Sequence, residues 1–173
     1  DMYFSENQNG IWRAAQSMGG SLNSTRQDVI YGFSTDGQML FYYTGEGLSY
    51  GQLVVDTFGV ENTSISGTSL GPFSPETGDR DLYLFNDTII LFSSDRPGGQ
   101  GGYDLYSSVK RRGIWQPAYN LGADVNSYYD DVSPFLTKNG RQLYFSSDRL
   151  ESFGGLDVFT TTFNDTTGSW GEA

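Results

Sequence analysis

The chain repeats itself along its length, and this internal repeat limits the possible folds more than any other feature. The segment that begins at Asp1 matches the segment that begins at Asp104, at a constant offset of 103 positions and without a gap. The matched pairs include Tyr3 with Tyr106, Gly10 with Gly113, Trp12 with Trp115, Asn23 with Asn126, Asp28 with Asp131 and Leu40 with Leu143. A shorter offset of 53 positions places residues 91–106 on residues 144–159, and both stretches contain the letters FSSDR. The underlying period is about 50 residues, which indicates an array of similar supersecondary units.

Each unit has the pattern of four short β-strands. In the third unit, strand a is DVSPFL, strand b is RQLYFSS, strand c is LDVFTT and strand d is SWGEA. Asn139-Gly140 and Asp36-Gly37 separate strands a and b, and such pairs tolerate the positive φ of tight hairpins. The chain has no stretch of ten or more residues with the apolar spacing that helical repeats require. The sequence therefore predicts an all-β fold, a β-propeller of four-stranded antiparallel blades.

The register of the repeat predicts a single propeller segment over residues 1–173, with about three and a half blades. Residues 1–27 contain the outer strands of a preceding blade and a connection. Residues 28–80 and 81–131 each contain a blade and its connection, and residues 132–173 contain a further blade. Propellers close with about four to eight blades, so we expect these blades to be part of a larger propeller.

Strand direction assigns the long loops to one face of the predicted propeller. Because antiparallel strands reverse at each turn, the a-to-b and c-to-d turns share one face. The other face, here called the long-loop face, carries the b-to-c loops and the connections between blades. Its segments are 44–51, 95–102, 148–155, 16–28, 66–80 and 119–131. Since rigid scaffolds concentrate function in their loops, we expect the functional site on the long-loop face.

Composition excludes several classes of function. The chain has 10 Lys and Arg residues against 21 Asp and Glu residues, and its net charge of -11 would repel nucleic acid and anionic lipid. It has no cysteine and no histidine, which removes disulfides, thiol catalysis, Ser-His-Asp triads and the usual zinc ligands. No apolar run approaches the roughly 20 residues of a membrane span. These exclusions favour a non-catalytic protein, because few proton carriers remain for an enzyme.

The repeated stretches resemble a known family. SSDRPGGQGGYDLY and SSDRLESFGGLDVF, with W-x-x-A-x-x-L-G linkers, resemble the TolB-type, WD-like propeller repeats of bacterial envelope proteins, over nearly the whole chain. Similar repeats occur in exported proteins of Gram-negative bacteria, often beside helical repeats or an OmpA-type domain. The resemblance implies an exported protein in the periplasm, at the outer membrane or at the cell surface. It also implies protein partners in an envelope assembly, which in some relatives serves secretion or motility. Because propellers host unrelated activities, the resemblance predicts the fold more strongly than the function.

Acidic, basic and tryptophan side chains recur at the same positions of successive blades, which favours a structural role. Asp can accept backbone N–H groups and Arg can pair with a carboxylate, whereas a calcium or anion loop is the alternative. The tryptophans share one position in strand d, where packing between blades is favoured over a stacking surface for sugars. The residues of this repeated motif are Asp95, Arg96, Asp104, Asp148, Arg149, Asp157, Trp12, Trp115 and Trp170.

Two adjacent tyrosines on the long-loop face depart from the repeat. Tyr128 and Tyr129 stand where the first copy has Thr25 and Arg26. Aromatic residues that are not repeated are candidates for contact with a ligand or partner, and packing of the loop itself is the alternative. The predicted binding residues are Tyr128, Tyr129, Asp130 and Asp131.

The same connection contains a weak candidate for a calcium site. Asp124, Asn126 and Asp130 supply the oxygen atoms that a hard cation prefers. The stretch lacks the glycine and the terminal Glu of an EF-hand loop, and Ser21 replaces Asp124 in the first copy. We predict no other cofactor.

Two functions remain open at this stage. The first is a non-catalytic propeller that scaffolds protein–protein contacts, and the second is a propeller that binds or cleaves glycans. Glycan cleavage would need two carboxylates that face each other across a cleft. The non-repeated acids available for such a pair are Glu46, Glu61, Glu76 and Asp79, and their spacing selects no pair among them.

Overall fold

The structure is a computed structural model that describes residues 1–20, 22–45, 51–57, 64–66, 70–75 and 78–173. Its regular elements are β-strands, and no helix in these ranges has the length and apolarity of a membrane span. The N-terminal segment forms two small antiparallel ladders, in which the first strand pairs with the fourth and the second with the third. These strands are β1 (Tyr3–Phe4), β2 (Asn7–Gln8), β3 (Ile11–Trp12) and β4 (Gln16–Ser17).

Three larger antiparallel sheets follow along the chain. In each the strands pair in chain order, except that the last strand of the second sheet pairs with the third strand. The first contains β5 (Gln27–Phe33), β6 (Met39–Gly45), β7 (Gly51–Thr57) and β8 (Ser64–Ser66). The second contains β9 (Arg80–Phe85), β10 (Ile89–Ser94), β11 (Asp104–Arg111), β12 (Ile114–Trp115) and β13 (Tyr119–Asn120), the last two both pairing with β11. The third contains β14 (Asp131–Leu136), β15 (Gln142–Ser147), β16 (Asp157–Asn164) and β17 (Ser169–Trp170). The predicted fold of four-stranded antiparallel blades is confirmed.

Local sequence accounts for the strands and their turns. In β15 the side chains alternate, and Leu143 and Phe145 are buried while their neighbours are half-buried, as the two-residue period of a strand requires. The turn between β9 and β10 contains Asn86 and Asp87 with φ of 47° and 57°, the positive values of a tight hairpin. In the third sheet the same turn places Gly140 at φ 71°, a conformation that glycine adopts without a steric penalty.

The hydrophobic cores lie between successive blades. One cluster joins the first and second sheets through side chains such as Phe41 and Phe92, and another joins the second and third through Leu105 and Leu143. A third cluster packs Met2 of the N-terminal segment on the first sheet. Each blade is therefore stabilised mainly by its neighbours, as in other repeat architectures.

The first strands of the three sheets lie side by side, since β9 contacts both β5 and β14. Each of them is bulged where it pairs with the second strand of its sheet. At two of the bulges, Asp81 and Ser133 have positive φ of 55° and 54°. The Ser133 N–H donates to the Asp81 carboxylate at 3.3 Å, so the bulges connect neighbouring blades.

Candidate functional site

The candidate site lies on the long-loop face, where the b-to-c loop of the second blade meets the connection 119–131. The Tyr103 N–H donates to Asp130 Oδ1 at 2.9 Å, and the Asp131 N–H donates to the Tyr103 carbonyl at 2.6 Å. The Gly102 N–H donates to the Tyr129 carbonyl at 3.3 Å. These bonds hold the backbone of the tyrosine pair against the preceding loop.

Two glycines allow this close contact. A Cβ atom added to Gly101 would lie 2.1 Å from the Tyr128 carbonyl oxygen, and one added to Gly102 would lie 2.1 Å from Asp130 Oδ1. The Tyr128 backbone leaves no room for a side chain at position 101, and a side chain at position 102 would displace the Asp130 carboxylate from the Tyr103 N–H. The loop therefore approaches the connection this closely because both positions are glycine. The glycines of the repeated motif thus position the non-repeated tyrosines.

Tyr128 is the most prominent side chain of the site. It is 81% exposed, and its ring meets that of the half-buried Tyr129 edge to face with 6.1 Å between the centroids. Beside it lies an open depression of about 360 Å³, lined by Tyr128 and the backbone of residues 99–102. The arrangement presents an aromatic ring next to polar backbone groups, which suits a contact with another molecule.

Asp130 connects three segments of the face. Besides accepting the Tyr103 N–H, its own N–H donates to Asp148 Oδ1 at 2.9 Å, which ties the connection to the next b-to-c loop. Arg80 lies 4.0 Å from the Asp130 carboxylate, and its guanidinium stacks 3.6 Å above the ring of Tyr103. Asp130 remains partly exposed, so it combines a structural role with access to solvent.

Asp131 does not belong to the exposed site, and its prediction as a binding residue is corrected. It is completely buried, and its Oδ1 pairs with Arg149 Nη2 at 2.7 Å while its Oδ2 accepts the Ser127 N–H. A carboxylate that is paired and buried in this way cannot reach a partner at the surface. Its environment fits the structural role of its neighbour Arg149.

The two arginines of the FSSDR stretches make the same set of contacts in successive blades. Arg149 pairs with Asp131 and donates to the Val125 carbonyl at 2.6 Å. Arg96 pairs with Asp79 at 2.6 Å and donates to the Pro72 carbonyl at 3.2 Å. Asp79 is therefore the counterpart of Asp131, and its classification as a non-repeated acid was wrong.

The remaining acids of the motif lie in the b-to-c loops. Asp104 and Asp157 close equivalent turns by accepting the N–H groups of Gln100 and Phe153, respectively. Asp104 also accepts from Asn120 at 2.8 Å, but its Oδ1 is buried with no hydrogen-bond partner among the described residues. Burial raises the pKa of Asp104 above its ordinary value, and the nearby charge of Asp131 acts in the same direction.

Asp95 and Asp148 are the exposed acids of the repeated motif. Asp95 lies beside Gly78, and Asp148 receives the Asp130 N–H described above. The arginines that follow them turn inward to their buried carboxylate partners. The b-to-c loops of the second and third blades therefore present negative charge, while their arginines are neutralised by buried carboxylates.

The three tryptophans have different environments. Trp115 packs on the core between the first two blades and lies close to Gly71. Trp170 packs edge to face on Phe163, with 5.1 Å between the ring centroids. Trp12 is 69% exposed on the β2–β3 hairpin, so the packing between blades expected from its position in the repeat is not seen. None of the hydrophobic clusters among the described residues includes Trp12.

Two residues of the candidate calcium site are engaged by backbone groups. The Asn126 side chain is buried and bonds both the N–H and the carbonyl of Leu105, and Asp130 is engaged by Tyr103. Asp124 is exposed on the connection. Within the described ranges, no group of three or more acidic, His or Cys side chains is arranged to hold a metal ion. Glu46, Glu61 and Glu76, the other candidate acids, lie outside the described residues.

The sequence did not indicate that Arg80 and Tyr103 belong to the site. It also did not indicate that Asn126 is buried and bonds to the backbone. The signal for Asn126 was present, because Asn23 occupies the matching position of the first copy. Arg80 and Tyr103 carried no such signal, since their contact joins residues that are distant in sequence. Only the packing of the loop on the first strand of its blade brings them together.

Comparison with known proteins identifies the fold. Neither a protein-family model nor a curated protein sequence matches the chain. A solved structure assigned to TolB from Agrobacterium tumefaciens matches 86% of the chain with a TM-score of 0.56 and 16% identity. TolB from Acinetobacter baumannii matches 88% with a TM-score of 0.54 and 15% identity. The matched regions span 50% and 33% of those chains, respectively. The chain thus has the β-propeller fold of the TolB type that its repeats predicted.

Proposed function

We propose that this protein is a non-catalytic β-propeller scaffold that binds a protein partner through its long-loop face, in an exported or cell-envelope assembly. The observation that carries the proposal is the exposed Tyr128, held on a backbone that is bonded to the neighbouring loop. An aromatic side chain on a rigid support loses little conformational entropy on binding, which is typical of energetically dominant interface residues.

The charge of the face indicates the chemistry of the partner. Asp95 and Asp148 are exposed and Asp130 is partly exposed, whereas Arg96 and Arg149 are paired with buried carboxylates. A partner with a Lys- and Arg-rich surface would complement this face and associate faster at low ionic strength. The net charge of -11 for the whole chain acts in the same direction.

The buried carboxylates support a non-catalytic role. Asp79 and Asp131 are each engaged by an arginine, and Asp104 is engaged by the N–H of Gln100 and the side chain of Asn120. Each of these groups has a structural partner within its own blade or loop. A glycosidase would instead need two carboxylates that face a common substrate cleft.

The proposed envelope location rests on the likeness of the repeats and of the fold to those of known proteins. The repeats resemble those of exported bacterial proteins, and the fold is similar to the TolB structures described above. Periplasmic, outer-membrane-associated and cell-surface locations all agree with this likeness. Fractionation of the native host with an antibody against this chain would distinguish them.

The binding proposal is tested by replacing the exposed ring. We expect Tyr128→Ala to reduce partner capture from a native-host envelope extract at least about tenfold, because truncating a dominant interface aromatic costs about 2 kcal/mol. The measurement is quantitative mass spectrometry of proteins retained on the immobilised chain at low salt. Tyr119→Ala is the matched control, since Tyr119 is a 51% exposed tyrosine on the strand β13.

Equal loss for the two variants, or no loss for either, would contradict the proposal. A glycan contact is the second candidate because an exposed tyrosine beside a polar depression can also stack on a sugar ring. Retention on a glycan array that is abolished by Tyr128→Ala would favour the glycan over the protein partner.

A further inference from the structure

We propose that the outer edge of the third blade is a docking site for a connection segment of the same repeat type, which adds a short strand to β16 and clamps it with an asparagine. The proposal does not depend on the function of Tyr128. It rests on two places in the chain, here called junctions, where a connection segment pairs in the same way with the outer edge of strand c. It also rests on the third blade, where the same edge is not covered by a described residue.

The two junctions share their backbone pairing. In the first, β4 pairs with β1, with Tyr3 opposite Ser17 and Phe4 opposite Gln16. In the second, β13 pairs with β11, with Tyr106 opposite Asn120 and Ser107 opposite Tyr119. All four positions of the first junction map onto the second at the offset of 103. In both cases the segment that leads into the next blade first adds a short strand to the outer edge of strand c.

An asparagine then clamps the backbone at the start of the same edge. Asn126 Nδ2 donates to the Leu105 carbonyl at 3.0 Å, and Asn126 Oδ1 accepts the Leu105 N–H at 2.8 Å. Asn23 makes both bonds with Met2, and its Nδ2 also lies 3.0 Å from the carbonyl it binds. A carboxamide that donates to and accepts from one residue fixes the register of the segment along the edge.

The apolar side chains of the junctions are buried by this arrangement. Leu105 is completely buried and Met2 is 3% exposed. The residues that precede the two asparagines, Val125 and Leu22, are buried with them. The occupant of such an edge is therefore a short strand followed by a tight turn, with an aliphatic residue directly before an asparagine at the end of the turn.

The third blade presents the same edge without a cover. Val158 lies opposite Ser146 in the pairing of β15 and β16, as Leu105 lies opposite Ser93 in the second blade. Val158 is nevertheless 74% exposed. Leu150, Phe153 and Leu156 nearby are 81%, 103% and 57% exposed, which forms an apolar patch of the kind that marks an interaction site.

The glycines of the third loop support the same conclusion. Gly101 lies against the Tyr128 backbone of the covering segment, and Gly102 lies against its Asp130 side chain. Their counterparts Gly154 and Gly155 have no atom within 4 Å of an added Cβ. On the third blade these glycines leave room for a segment to pack closely on the loop, and no described residue occupies that space.

The occupant can be tested with a peptide from the chain itself. The probe is a fluorescently labelled peptide with the sequence of residues 119–131, titrated with the 173-residue chain and followed by anisotropy. We expect saturable binding that weakens at least about tenfold when the peptide carries Asn126→Ala, because two hydrogen bonds are lost. Equal affinity of the two peptides, or the absence of saturable binding, would overturn the proposal.

A protein variant identifies the site on the chain. Gly154→Ala should weaken peptide binding at least about tenfold, because a Cβ atom on its counterpart Gly101 would overlap the backbone of Tyr128 in the covering segment. It should not lower the thermal midpoint of the free chain, since no described atom lies within 4 Å of the added Cβ. Unchanged peptide affinity for this variant would place the peptide elsewhere and overturn the proposal.

A chain that carries the connection segment at its own C-terminus tests the docking without depending on the affinity of a free peptide. The stretch Trp170 to Ala173 matches Trp115 to Ala118, so a copy of residues 119–131 added after Ala173 would follow in register. We expect the Val158 amide to exchange its hydrogen at least about tenfold more slowly in this chain than in one whose copy has Asn126→Ala. Equal exchange rates would overturn the proposal.

A second copy of the chain is the competing occupant. Sedimentation velocity should show the 173-residue chain as a monomer, and a dimer that is abolished by Phe153→Ser would overturn the assignment to a connection segment.

Tyr128→Ala in the protein should leave peptide binding intact. Loss of partner capture with retained peptide binding would therefore separate the two proposals.

Discussion

At the scale of single residues, two adjacent carboxylates of the connection 119–131 have opposite environments. Asp130 is partly exposed, whereas Asp131 is completely buried and paired with Arg149. Removing one partner of a buried ion pair leaves an uncompensated charge, which costs far more than the loss of an exposed pair. The Arg149–Asp131 pair is therefore expected to be critical for the stability of the third blade.

Arg149→Met tests this expectation. We expect the free energy of unfolding in urea to fall by about 3–5 kcal/mol, the range for a broken buried pair. The matched control is Arg141→Met, because Arg141 pairs with Asp165 where both side chains are more than half exposed. The control should lose only about 0–1 kcal/mol. Similar losses for the two variants would show that Asp131 is solvated or otherwise compensated.

At the scale of elements, the b-to-c loops have one sequence pattern and two environments. In the second blade Gly101 and Gly102 lie against the connection that carries Tyr128, while in the third blade the equivalent glycines are open. None of these four glycines has the positive φ that would by itself exclude a side chain. The effect of an added methyl group is thus decided by what covers the loop.

Gly101→Ala and Gly154→Ala form a matched pair for this point. We expect Gly101→Ala to destabilise the chain by about 1–3 kcal/mol, because its Cβ would overlap the Tyr128 carbonyl. Gly154→Ala should be neutral or stabilising by up to about 1 kcal/mol through the unfolded state. Urea unfolding of both variants provides the measurement. A neutral Gly101→Ala would mean that the loop and the connection are not in contact in solution.

At the scale of the whole molecule, the blades form a linear array in which each core is shared by neighbours. The central sheet contributes to both large clusters, whereas the N-terminal strands β1 to β4 are exposed and two residues long. In such arrays stability is unevenly distributed along the chain. Opening of the N-terminal ladders should therefore require less free energy than opening of the central blades.

Native-state hydrogen exchange measures this distribution. Amides of β1 to β4 should exchange at least about tenfold faster than those of β10 and β15, because their hydrogen bonds are less covered by apolar side chains. Peptide-level mass spectrometry resolves the segments. Uniform protection from residue 3 to residue 147 would indicate a single cooperative unit and contradict the array description.

The sequence was sufficient to predict strands, turns and blades, because these depend on local patterns. Alternating burial in β15, the positive φ at Asn86-Asp87 and the third-unit strands all follow from residues close in the chain. Because the units repeat, the same local patterns occur several times in the chain and support one another. The propeller fold could therefore be predicted before any contact was known, and the resemblance of the repeats implied its TolB type.

The tertiary structure alone decided which of the repeated and non-repeated residues are accessible. Asp130 and Asp131 are neighbours in sequence, yet only Asp131 meets the arginine of the next loop. Leu105 and Val158 share one position of the repeat, yet only Leu105 is covered. Burial depends on the segment that packs against a residue, and that segment is distant along the chain. For this reason the repeat determined the blades, and the contacts between blades determined the candidate site.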